Sequence, residues 1–146
     1  MKKLILIIAQ SIVAFSLCAQ SITEVGGKLI EDLNGSTGIS VDAIMPLSET
    51  GRVRGDFGVI ASGVATNFVY NYIYKIPELP ELSVNPGLGA GMYIGDVFNA
   101  AIVGEFSVEY KWDFPLTIGF DVRPRIDLVD SPGPGATVAA VARYRF

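Results

Sequence analysis

The chain contains no histidine. That absence removes serine–histidine nucleophilic catalysis and the usual zinc ligand sets in one step. Its single cysteine, Cys18, lies near the start, so a disulfide framework is excluded and thiol chemistry would rest on that one residue. Charge is sparse and mostly negative, with 15 acidic against 11 basic residues, which makes nucleic acid an improbable partner. After residue 20 no stretch approaches 18 uninterrupted apolar residues, so no helical membrane span is expected there.

Half of the 146 residues are nonetheless hydrophobic, a high share for one small domain. The opening "MKKLILIIAQSIVAFSLCAQ" supplies part of it. Two lysines, an apolar run from Leu4 to Leu17 and the small-residue exit "LCAQ" read as a helical secretory signal peptide over 1–19, followed by one domain over 20–146. Leu17 stands where bacterial lipidation of Cys18 wants a small residue, so cleavage after Ala19, which discards the only thiol, is the expected processing.

The remainder breaks at clusters of Gly, Pro, Asn, Asp and Ser into eight runs of alternating polarity, at about 23–30, 37–45, 52–61, 67–76, 82–95, 98–111, 116–128 and 136–146. Period-two patterning with short connections predicts antiparallel neighbours. Eight such strands predict an all-β, up-and-down barrel, since closure removes exposed edges. Alternation leaves open which face is inside, because a soluble lipocalin-like barrel has the same period with its faces reversed.

The charges separate the two arrangements. Lys28, Arg52, Arg54, Lys75, Lys111, Arg123, Arg125, Arg143 and Arg145 share one parity within their strands, as do Glu24, Asp42, Asp56, Glu105, Glu109, Asp121 and Asp127. At ~2–4 kcal/mol for each cation near the bilayer midplane, the sum would exceed the stability of a domain if this face met lipid. In a membrane barrel these groups therefore face the lumen and pair. Leu116, Ile118, Phe120, Val122 and Ile126 then face outward, and only Ile60 in the third run breaks the rule on the charged side. Thr117, on the luminal parity, should accept arginine better than Val122 does.

Tyr72 and Tyr74, Tyr110 and Trp112, and Tyr144 and Phe146 close the fourth, sixth and eighth runs on the apolar parity. Even-numbered strands end at the rim that holds both chain ends, so these six residues predict one aromatic girdle, periplasmic if the N-terminus is periplasmic.

Together these features resemble the small OmpA/OmpX-like eight-stranded outer-membrane barrels of Gram-negative bacteria. The signal peptide, the alternating strands and the terminal "YRF" carry the resemblance. It implies an outer-membrane location in lipid and recognition by the barrel assembly machinery through Tyr144 and Phe146. "FSVEYKWDFPLTIGFDVRPRIDL" also resembles the penultimate hairpin of a group of short outer-membrane proteins with an "IPL"-like turn and a "D-x-RP" pattern. Unlike many relatives, the presumed outer loops are short.

Candidate chemistry is thin. Glu105 with Glu109, or Asp121 with Asp127, pair better with the arginines of their own parity than with each other as an acid–base couple. "GLGAGMYIG", Gly87 to Gly95, lacks the lysine and following helix of a phosphate loop. Its inward glycines read as room for long luminal Arg and Tyr side chains or for strand coiling. The sequence thus predicts a monomeric, non-enzymatic barrel without cofactor, in a structural or interaction role. A narrow channel or anion-binding barrel, and a soluble periplasmic binder, are the alternatives.

Overall fold

The computed structural model describes residues 22–61, 63–130 and 132–146; the expected signal peptide lies outside them. Nine strands are assigned: β1 (Glu24–Asp32), β2 (Thr37–Pro46), β3 (Gly51–Ile60), β4 (Gly63–Tyr72), β5 (Tyr74–Ile76), β6 (Leu79–Ile94), β7 (Phe98–Lys111), β8 (Leu116–Asp127) and β9 (Gly133–Arg145). There is no helix among the described residues. Except for β4 and β5, which do not pair with each other, every strand pairs antiparallel with its sequence neighbours; β4 pairs β6, and β1 pairs β9.

The fold is a closed antiparallel barrel with eight wall positions, because β4 and β5 are one strand interrupted at Ile73. Pairing with β6 stays in register on both sides of the gap, from Asn71 opposite Gly87 to Tyr74 opposite Val84. Pro86 lies within that gap and has no N–H to donate, and the Ile73 amide turns away to the Thr50 carbonyl at 2.7 Å. The β7–β8 ladder has a similar gap between Val103–Arg125 and Phe106–Val122, where Pro124 faces Gly104. On their other sides both prolines sit in unbroken pairing, with Phe106 and with Ala136. One missing donor thus opens one seam and leaves the neighbouring seam intact.

Three strand starts differ from the expected boundaries, β6 beginning at Leu79 rather than near residue 82. "SGVAT" is not a loop, since β4 begins at Gly63 and pairs Gly63–Thr66 with Phe57–Ile60. "SPGPG" is likewise half strand, because Gly133, Pro134 and Gly135 pair with Asp127, Ile126 and Arg125. Small residues and prolines carry weak strand signals on their own, and a ready-made neighbour overrides them. Turn chemistry holds at Gly35, whose φ of +85° suits the β1–β2 hairpin.

Polarity is inverted relative to a water-soluble fold. Among the described residues six hydrophobic side chains are buried, against nineteen polar or charged ones. Leu29, Phe57, Phe68, Phe106, Phe120 and Ile126 all point outward, more than half exposed. The interior holds the charges.

Candidate functional site: the barrel interior and its open end

Alternation on tightly paired strands drives one set of side chains into a lumen only as wide as the side chains themselves. Nearest the start of β1 and the end of β9, Arg52 makes a two-pronged contact with Glu109 at 2.8 and 2.6 Å. Arg143 reaches Glu109 at 2.5 Å, Asp42 at 2.6 Å and Glu24 at 3.0 Å. Lys111, partly exposed at the rim, pairs with Glu24 at 3.1 Å.

In the middle, Arg54 donates to Asp42 through Nε and Nη2 at 2.9 and 3.1 Å and to Glu105 at 3.0 Å, and lies 2.8 Å from Asp121. Above it Lys28 lies between Asp56 at 3.2 Å and Asp121 at 3.4 Å. Arg123 binds Asp56 and, at 2.6 Å, Glu105. Glu105 and Arg123 stand opposite one another across the β7–β8 gap, so a side-chain pair ties the two strands where Pro124 interrupts the backbone ladder.

Arg52, Arg54, Asp56, Glu105, Glu109, Asp121, Arg123 and Arg143 therefore share one buried network, with Lys111 at its lower edge. Arg125 stands apart from it toward the other end, between Asp32 at 2.7 Å and Asp127 at 3.3 Å. Arg145 does not join the network. It ends β9 opposite Glu24, whose carboxylate is taken by Arg143 and Lys111, and it donates instead to the carbonyls of Trp112 and, at 2.8 Å, Phe114. Lys75 keeps the luminal parity, opposite buried Ser83, but is exposed in the short β5 segment.

Several polar members carry weaker sequence signals. Asn71 and Asn67 donate to Glu105 at 3.0 Å and to Asp56 at 2.9 Å, and uncharged amides on the luminal parity of the fourth run were the only hint. Asp32 lies beyond the first expected run of 23–30, yet it shares the parity of Lys28 and ends β1. The inward glycines of β6 make room for asparagine and backbone rather than for Arg and Tyr. A Cβ at Gly87 or Gly91 would meet the side chain of Asn71 or Asn67 at 2.3 Å, and one at Gly89 would meet the Phe68 carbonyl oxygen at 2.0 Å. Thr117 is fully buried opposite Arg143, so the expectation that it accepts arginine is corrected: that layer is already filled by a guanidinium.

Outside, the register brings Tyr72, Tyr74, Tyr110, Trp112, Tyr144 and Phe146 to the rim where β1 begins and β9 ends. Tyr110 packs edge-on against Trp112 at 5.1 Å, and Tyr144 against Phe146 at 5.4 Å. Phe114, in the β7–β8 turn, extends the first group at 5.7 Å from Trp112. The last residue is anchored by its amide, which donates to the Thr23 carbonyl at 3.0 Å.

The opposite end is open. A cavity of about 280 Å³ descends from the turns after β1, β3 and β6 and the end of β8 to a floor of Lys28, Asp121 and Arg123. Ile60, the apolar exception on the charged parity, lines it. Among the described residues no cluster of His, Cys, Asp and Glu has the arrangement of a metal site. Compared with protein-family models, with curated proteins and with solved structures, the chain finds no match in any of the three.

Proposed function

We propose that the chain is an integral outer-membrane β-barrel protein of a Gram-negative bacterium, non-enzymatic and monomeric, with a structural or interaction role. The observation that carries this reading is the inverted polarity, with charged residues such as Arg54, Arg143 and Asp42 fully buried while the large apolar side chains point outward. Only a surrounding apolar solvent makes that arrangement favourable, since exposed apolar area of this extent in water drives association. Strand lengths agree, as β1 to β4 have nine or ten residues and a tilted membrane strand needs about 9–11.

The aromatic rim supports a girdle at one headgroup level, and Tyr144 with Phe146 supports recognition by the barrel assembly machinery. A soluble lipocalin-like binder would keep its lumen apolar, whereas this lumen is a network of ion pairs. The test is the gel mobility of the outer-membrane fraction in SDS, unheated against boiled. A boiling-dependent shift is expected of a closed, detergent-resistant barrel. Recovery of the chain in the soluble fraction, with no shift, would sink the reading.

A further inference from the structure

The cavity at the loop end is not explained by a role in spanning lipid. We propose that it is a binding site for a small organic monocation, an ammonium group carried on an apolar body. Three observations carry this: the shape of the cavity, its charge and its walls.

The cavity is blind. Its floor is closed by Lys28, Asp121 and Arg123, and beneath them the Arg54 and Arg143 pairs fill the lumen. A molecule entering from the loop end is held rather than passed through. The volume of about 280 Å³ lies just below the ~300–1,000 Å³ usual for small-molecule sites, so only a small ligand fits.

The floor is electrically satisfied. Lys28 and Arg123 are each clasped by carboxylates, so an incoming anion meets no free cation there. Nearer the mouth the balance differs, because Arg125 alone stands between two carboxylates, Asp32 and Asp127. Asp32 is fully engaged, accepting from the Asn34 amide at 2.9 Å as well as from Arg125. Asp127 has only the longer 3.3 Å contact through one oxygen, and its side chain is partly exposed. One carboxylate oxygen is therefore left over, facing a confined space where desolvation strengthens its pull on a cation. The turns around the opening hold no lysine or arginine, and Asp130, which accepts from the Phe98 amide at 3.0 Å, makes the approach negative as well.

The walls suit an apolar body. Ile30, Ile60, Val97 and Val103 line the cavity, and the half-buried ring of Tyr93 sits at its mouth over Gly63 and Gly95. Tyr93 and Asp127 stand on β6 and β8, two strand spacings apart across β7, about 10 Å along the wall. A ligand of one ring and a short amine chain spans that distance, with the tyrosine face available to ring or ammonium.

The experiment titrates the full chain in nanodiscs of zwitterionic lipid with phenethylammonium, phenylacetate and 2-phenylethanol, following amide chemical shifts. The three probes share one body and differ in charge. Saturable shifts confined to the loop end are expected with phenethylammonium, much weaker ones with the alcohol, and none with phenylacetate. Asp127→Asn should weaken phenethylammonium about three- to fivefold, the size of a partly exposed ion pair. Tyr93→Leu should weaken it less. If Asp127→Asn fails to fold, loss of phenethylammonium affinity with rising salt in the wild type tests the same point. Equal response to all three probes, preference for phenylacetate, or no response to any of them would overturn the proposal. A chain recovered without detergent is titrated in buffer, so failure of the membrane reading and failure of this one are distinguishable.

Discussion

Arg54 donates to Asp42 and Glu105 and lies 2.8 Å from Asp121, so three buried carboxylates depend on one guanidinium. Arg52 is as deeply buried but serves only Glu109 at close range, and Glu109 keeps Arg143 at 2.5 Å. Removing one partner of a buried pair costs about 3–5 kcal/mol because the other charge stays behind uncompensated. Arg54→Met should therefore destabilise the barrel by that amount, and Arg52→Met by about 2 kcal/mol less, since its orphan is still paired. Urea unfolding followed through Trp112, the only tryptophan, reads both. Equal losses would mean that the network acts as a diffuse field rather than through the contacts described.

At the scale of the strand, two faces of one barrel wall meet different solvents. Val122 on β8 points outward between Phe106 of β7 and Val138 of β9, whereas Ala65 on β4 lines the open cavity. Val122→Arg should prevent assembly, at a cost of ~2–4 kcal/mol near the midplane. Ala65→Arg should assemble normally, since its charge can reach water through the cavity mouth. The fraction of each variant showing a boiling-dependent gel shift measures the difference. Equal assembly of both would mean that the exterior does not face lipid.

For the molecule as a whole, closure and filling go together. Eight strands leave an interior about as wide as its side chains, and the pairs of Arg52, Arg54 and Arg143 occupy it from wall to wall. In planar bilayers the wild-type protein should show no steady conductance. Channels of constant amplitude would mean that the network rearranges into an open state, and would favour the narrow-channel alternative. The blind cavity and the plug thus predict a barrel that can hold a small molecule at one end without admitting it to the other.

The alternation of residues along the chain was enough to give the strand count, the antiparallel order and the assignment of most charges to one face, because a side-chain period of two follows from the extended backbone itself. It was enough for Arg52, Arg54, Asp56, Glu105, Glu109, Asp121, Arg123 and Arg143, which sit where strands on both sides enclose the lumen. It failed where strands end. Arg145 and Lys75 are paired on one side only, with Glu24 and Ser83, so parity continues there while the side chains reach the rim rather than the buried network. Strand starts at Gly63 and Gly133 were hidden because small residues and proline extend only when a neighbour offers pairing. Which arginine meets which carboxylate, and the carboxylate left over beside Arg125 at an open cavity, depend on register across the barrel. Alternation sets the face of each side chain, but its depth and partner come only from the offset between strands brought together by closure.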